Sequence, residues 1–257
     1  MSSFVINPYA FGAGEDADAA AYLNAVEAED GQALEAGVRK AVDDFVKGCK
    51  ADGIWSAIKA CCILAGARTL DGALTPLVGA APTNYSFVSG DYDREDGLVG
   101  NGSTKYLDSG RNNDADPQDD KHLAVYLTDT SAGNKVPMGA GASSVGDSML
   151  IQANGFAYYR INHGNAGPAF TGTYALGLVG ATRSSSSEIE YIDDGIVTTF
   201  SSTSFTPTNL AILVYRRGAG AYSNQRLSFY SIGESLDLAD LDARLDTLMT
   251  DLAAAIP

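Results

Sequence analysis

The sequence predicts an antiparallel β-sandwich or jelly roll with helices at both ends. Three observations point there. From Asp71 to Ser235 the chain alternates short apolar segments with glycine, serine, threonine and asparagine, the texture of an antiparallel β-domain. Between Asp16 and Ala51, apolar residues recur at helical spacing. Within Arg226–Leu248, RLSFYSIGESLDLADLDARLDTL, the apolar period changes from two to about three and a half, so a strand hands over to a helix.

Taken in order, Met1 to Gly14 shows no period and reads as an N-terminal arm (residues 1–14). Residues 15–70 read as a helical attachment region. Asp16 opens a helical register through AAAYLNAVEAED, which Gly31 breaks. Leu34, Val38, Ala41, Val42, Phe45 and Cys49 mark one face of a second helix, with Glu35, Arg39, Lys40, Asp43 and Asp44 on the other. Asp52 and Gly53 stop it. Ile54, Trp55, Ile58, Cys61, Cys62 and Ala65 then predict a third, more deeply buried helix closing at Gly66. The sandwich spans residues 71–235, entered through GALTPLVGAAP, with no helical pattern inside it. Strands are expected at Tyr85–Ser89, Gly97–Val99, Lys105–Asp108, Leu123–Leu127, Met149–Gln152, Phe156–Ile161, Tyr174–Thr182, Glu188–Ile192, Ile196–Phe200, Ala211–Arg216 and Arg226–Ile232. Asp193-Asp194-Gly195 supplies the positive φ angles of a tight hairpin. In the last strand Leu227 and Phe229 are expected on one face and Tyr230 and Ile232 on the other, as in an inner strand buried on both sides. Residues 236–257 form a C-terminal helix, with Leu238, Leu241, Leu245, Leu248 and Leu252 in a single apolar seam. Two or three heptads are short for a coiled coil, so this seam is expected to pack on its own domain.

The net charge of −15 argues against a nucleic-acid partner, because phosphate binding needs a basic face, and disfavours membrane surfaces of the same sign. No basic leader with an apolar core opens the sequence, and no apolar run approaches the roughly 20 residues of a spanning helix, so synthesis and retention in a cytoplasm are expected. The three cysteines, Cys49, Cys61 and Cys62, are too few and too apolar in setting for a disulfide framework and read as buried free thiols.

Three runs carry a family resemblance: KADGIWSAIKACCILAGARTLDGALTPL, FVSGDYDREDGLVGNGSTKYLDSGRNNDADPQDDKHLAVYL and RLSFYSIGESLDLADLDARL. From about Asp43 to the C-terminus the chain resembles a family of bacteriophage virion proteins in which a short helical region precedes a concanavalin A-like, laminin-G-like jelly roll. The resemblance implies a structural component of a phage particle (tail fibre, head fibre or capsid decoration). It brings no catalytic motif. Attachment to other virion proteins through the N-terminal helical region and a symmetric homo-oligomer are expected with it.

Candidate chemistry is sparse. Gly146-Asp147-Ser148-Met149 has the look of a GDSL-type nucleophile block, but no Asp-x-x-His partner follows, so Ser148 reads as a turn serine. The glycines between Gly139 and Gly146 lack the lysine of a phosphate loop. The acid-rich loops DYDRED and NNDADPQDD suit a hard cation. Asp114, Asp116, Asp119 and Asp120 are the candidate Ca²⁺ ligands, in the way some jelly-roll lectins hold sugars through such an ion. Glu188, Glu190, Asp193 and Asp194 lie near one hairpin, and Glu188 and Glu190 share one strand face; a glycoside hydrolase needs two carboxylates across one bond, but surface strands commonly carry such acids for solubility. Tyr158, Tyr159 and Tyr191, with Phe156, offer ring faces for stacking on glycans. His122 and His163 stand alone and read as structural. The sequence therefore favours a non-enzymatic virion component displaying a lectin-like sandwich, with a carbohydrate-binding adhesin for host surface glycans as the alternative.

Overall fold

The alternation read between Asp71 and Ser235 becomes two antiparallel sheets packed face to face. The computed structural model describes residues 14–257 apart from 131–132, 143, 165–168 and 219, so the expected N-terminal arm lies, Gly14 excepted, outside the described residues. The helices are α1 (Ala17–Asp30), α2 (Ala36–Ala51), α3 (Leu70–Ala73) and α4 (Leu238–Ala255). The strands are β1 (Ile58–Ile63), β2 (Thr83–Tyr85), β3 (Tyr92–Asp93), β4 (Gly97–Val99), β5 (Tyr106–Asn112), β6 (Lys121–Asp129), β7 (Lys135–Gly139), β8 (Asp147–Ala153), β9 (Phe156–His163), β10 (Ala169–Thr171), β11 (Gly177–Arg183), β12 (Glu188–Asp193), β13 (Ile196–Ser201), β14 (Ala211–Val214), β15 (Arg216–Arg217), β16 (Ala221–Tyr222) and β17 (Arg226–Gly233).

The first sheet runs β13-β12-β11-β6-β17-β4-β3, with β1 also paired to β17; the second runs β10-β9-β8-β7-β14-β5-β2; β15 and β16 make a small ribbon. Every pairing is antiparallel. Period-two alternation sends Leu123, Val125 and Leu127 of β6 into the core between the sheets, where they meet Leu107, Met138, Leu150, Tyr159, Ile212 and Val214 of the second. The alternate residue Ala124, with Leu178, Ile192 and Phe229, faces the other way and is covered by α1, α2 and α4. The molecule is a jelly-roll-type sandwich with a helical layer on one outer face.

The helix ends follow local chemistry. The Asp16 side chain accepts from the Asp18 amide at 2.9 Å to cap α1, and Gly31 closes it at φ 68°. Asp237 caps α4 by accepting from the amides of Ala239 and Asp240. All five leucines of the seam are buried, against α2 and the sheet, as expected of a helix packing on its own domain. The two helices approach so closely that a Cβ on Gly37 would lie 2.7 Å from Ala255 Cβ. Among the described residues no helix is long and apolar enough to cross a membrane.

Three expectations are corrected. The predicted third helix is a 3₁₀ turn, Trp55–Ala57, followed by strand β1, which fills the free side of β17. Cys61 and Ile63 of β1 face the helices, while Cys62 faces the inter-sheet core, its thiol 3.3 Å from Tyr230 Oη. Leu227 and Phe229 do not share a face: the register of β17 against β6 shifts between them, so Leu227 joins Tyr230 and Ile232 between the sheets while Phe229 alone turns to the helices. A helical pattern does enter the sandwich region, as α3 and a 3₁₀ turn at Ser89–Asp91. The three thiols are free and buried, and burial pushes those of Cys49 and Cys62 up to about 12.

Candidate functional site

The first sheet extends past β11 to β12 and β13, while the second ends at β9 and β10, and a cleft opens between these margins. Alternation along β9 puts Tyr158 and Tyr159 on opposite faces. Tyr159 is 1% exposed and turns into the cleft wall. Tyr191 of β12 stacks on it, ring centroids 4.2 Å apart and planes 18° from parallel. Phe170 of β10 lies 4.5 Å from Tyr191, and Phe200 of β13 backs both rings. The cleft encloses about 310 Å³ and is lined by Tyr159, Phe170, Tyr191, Asp193, Ile196 and Thr198, among others. That is near the lower end of small-ligand sites, roughly 300–1,000 Å³.

Asp193 supplies the polar group. Tyr159 Oη donates to its Oδ2 at 2.6 Å and the Ala175 amide donates to its Oδ1 at 2.8 Å. Burial raises its carboxyl above the ordinary value, against the pull of these two donors, and burial likewise raises the Tyr159 phenol. The result is a half-buried carboxylate with spare acceptor capacity beside exposed ring surface. Such a pair takes hydroxyl donors and the apolar face of a ring.

Of the three tyrosines predicted for glycan binding, the structure thus brings Tyr159 and Tyr191 together. Tyr158 lies on the outer face of the second sheet, packed on Val136, Met149 and Ile151. Asp193, Phe170 and Phe200 were not foreseen as site residues. Asp193 was read as a hairpin residue and as one of four acids near that hairpin, not as a glycan-binding group, although its spacing of two from Tyr191 in EIEYID put both on one face.

The predicted calcium ligands do not assemble. Asp116 receives the Arg111 guanidinium on both oxygens, and Asp120 Oδ1 accepts from the amide and hydroxyl of Ser235, both at 2.6 Å. Asp119 Oδ1 is buried without a partner, and Asp114 is exposed. These side chains serve separate turns, and no group of three or more His, Cys, Asp or Glu among the described residues is placed to hold a metal ion.

Ser148 is not a turn serine but a buried residue of β8; its Oγ donates to Asn162 Oδ1 at 3.0 Å and accepts from the Asn162 amide at 2.9 Å, with no base against it. His122 is fully buried between the Glu234 carbonyl, to which Nδ1 donates, and Ser231 Oγ, 2.7 Å from Nε2; burial pushes its imidazole down to about 4. Glu188 and Glu190 project side by side from β12 beside a depression of about 90 Å³. Larger hollows, about 430 Å³ beside α1 and about 460 Å³ along α2 and α4, offer no exposed ring; Phe45 in the second is 2% exposed and packs on Phe229.

No protein-family model and no curated protein sequence matches the chain. Among solved structures, it is similar to a mutant of Trypanosoma rangeli sialidase displaying trans-sialidase activity (14% identity, TM-score 0.46, 83% of this chain and 39% of that one). It is also similar to domains LG4-5 of the mouse laminin alpha1 chain (18% identity, TM-score 0.38, 64% of this chain and 47% of that one). A third is domain 4 of a GH43 extracellular arabinanase from Geobacillus stearothermophilus, in complex with arabinotriose (11% identity, TM-score 0.33, 65% of this chain and 82% of that one). The chain thus spans less than half the length of the first two. At these values no activity or ligand is carried from them to this chain.

Proposed function

We propose that the chain is a non-enzymatic saccharide-binding sandwich whose site is the cleft between β9–β10 and β12–β13. One observation carries this reading: the partly buried Tyr191, held by its stack on the buried Tyr159, stands beside the Asp193 carboxylate in a cleft of ligand size. A sugar ring stacks on Tyr191 and Phe170 while its hydroxyls donate to Asp193. The test is a glycan array with and without added calcium, followed by titration of the best ligand. Tyr191→Ala is expected to weaken binding about tenfold, the loss of one aromatic stack. Silence on the array in both conditions overturns the reading, and an effect of calcium would bring the aspartate loops back as its site. No reducing sugar is expected from bound oligosaccharides, with Glu188→Gln and Glu190→Gln as controls.

The quoted sequence runs favour a second, compatible reading, in which the sandwich is displayed on a bacteriophage particle. Immunolabelled virions test it, and particles that never carry label refute it. For the expected homo-oligomer, support comes from the sheet margins. β2, β3 and β10 end their sheets with two or three residues each, but β13 is six residues long without a charge, proline or glycine. Unprotected neutral edges of that length invite pairing with another copy. Sedimentation of the wild type and Thr199→Lys tests this.

A further inference from the structure

We propose that Arg160 and Arg217 form a binding site for an oxyanion, the carboxylate or sulfate group of a small ligand, on the outer face of the second sheet. The site lies on the opposite face of β9 from the aromatic cleft and does not depend on it.

The sheet register sets the geometry. Gly139 of β7 pairs with Met149 of β8, and Met149 pairs with Arg160 of β9, so the three stand in a row across the sheet. Arg217 comes down from the ribbon over Gly139: a Cβ on that glycine would lie 3.2 Å from Arg217 Cβ. The two arginines therefore flank Met149, and the absence of a side chain at Gly139 lets the second one in.

Neither arginine has the partner that a buried guanidinium needs. Arg160 is 8% exposed, and its Nε, like that of Arg217, is buried without a hydrogen-bond partner. No ion pair among the described residues includes either. The nearby acid, Asp147, already accepts from the Ala142 and Ser144 amides and from Thr208 Oγ1. Burial and the neighbouring Arg217 charge both push the Arg160 guanidinium below its ordinary value.

Elsewhere the chain satisfies such groups. Arg183, also buried, donates to the carbonyls of Ile161, Ser185, Glu188 and Ser202. Arg216 lies over the rings of Tyr106 and Tyr222, although its Nε, too, is buried without a hydrogen-bond partner. A chain with 32 acidic and 17 basic residues does not lack carboxylates to place beside Arg160. Leaving the buried Arg160 guanidinium unpaired beside the Arg217 charge costs stability, and a bound anion removes that cost. The fork of donors suits carboxylate or sulfate, and the Tyr158 ring, 5.4 Å from the Arg160 guanidinium, walls one side.

The test is thermal unfolding of the full chain in sodium sulfate, sodium acetate and sodium chloride at matched ionic strength, with NMR of the arginine Nε–H groups. A saturable rise in Tm beyond that in chloride is expected for sulfate, acetate or both, and which salt acts identifies the oxyanion. Arg217→Gln abolishes the saturable part and leaves the general salting effect of sulfate. Arg160→Met removes the response too, and in chloride it melts no lower than wild type, because the lost charge had no partner. Equal melting of the wild type in all three salts, or an undiminished response in Arg217→Gln, overturns the proposal; if Arg160→Met fails to fold, Arg217→Gln decides alone.

Discussion

Replacing Leu245 by alanine asks whether the helices and the sandwich are one cooperative body. Leu245 is fully buried in the cluster that joins α1, α2 and α4 to the outer face of the first sheet. The same seam seats Leu238 against Gly180 of β11, where a Cβ would lie 3.3 Å from Leu238 Cδ2, so α4 can retreat only by losing its contact with the sheet. Truncation of a buried leucine that the surroundings cannot close over costs about 2–5 kcal/mol, and the middle of that range is expected here. At about 2–4 °C per kcal/mol for a chain of this size, Tm falls by about 7–14 °C. The assay is urea and thermal unfolding followed by far-UV circular dichroism and by fluorescence of the single tryptophan, Trp55, at the junction of α2 and β1. Both probes are expected to shift together. The reasoning fails if the helical signal melts alone while the β signal stays at the wild-type midpoint, or if the loss is under about 1 kcal/mol.

His122 predicts acid sensitivity. Its imidazole stands at about 4 in the fold against 6.5 when free, so between these values the unfolded chain binds more protons. Its contribution is complete above pH 6.5 and is lost as pH falls toward 4, by about 3 kcal/mol. Urea midpoints from pH 4 to 7.5 read this slope, and His122→Asn flattens it whatever its absolute stability. Gly97→Ala combines φ +95° with a Cβ 2.2 Å from the Leu227 carbonyl oxygen, and a loss of at least about 2 kcal/mol is expected by chemical denaturation. Asp30→Ala leaves the amides of Arg68 and Thr69 without their acceptor and is expected to cost about 2–3 kcal/mol while ligand binding at the cleft is unchanged; a wild-type urea midpoint would contradict it.

Strands with one buried and one open face were legible because their alternation is a direct imprint of burial. Glu188–Asp193 and Ile196–Ser201 fall within a residue of their expected bounds. Strand β1 was not, for a physical reason. IKACCI is buried on both faces except at Lys59, so from Ala60 its apolar run is continuous, and a short continuous run looks the same in a buried helix. Only the vacancy on one side of β17 decides between them, and that is a property of the assembled sheet. Local pattern likewise misplaced Leu227, since the bulge that separates it from Phe229 is set by pairing with β6.

The cleft was half legible for a related reason. Tyr159 and Tyr191 declare themselves as aromatics in strands, and their i, i+2 neighbours tell which way they point, but that two strands 32 positions apart in sequence bring their rings to 4.2 Å is a matter of sheet order. Asp193 was hidden by a second role. The Asp-Asp-Gly turn accounts for it completely as a hairpin residue, with Asp194 taking φ 53° and Gly195 φ 67°. Yet a turn needs only Asp194 and Gly195 in the left-handed region; Asp193 is the last strand residue, and its carboxylate points inward to accept the Tyr159 hydroxyl. A solvated hairpin acid would gain nothing from a buried phenol. Its burial is what separates a turn residue from a binding group, and Asp193→Asn separates them experimentally: the hairpin survives, the raised carboxyl is gone, and glycan affinity falls while the urea midpoint at neutral pH holds or rises.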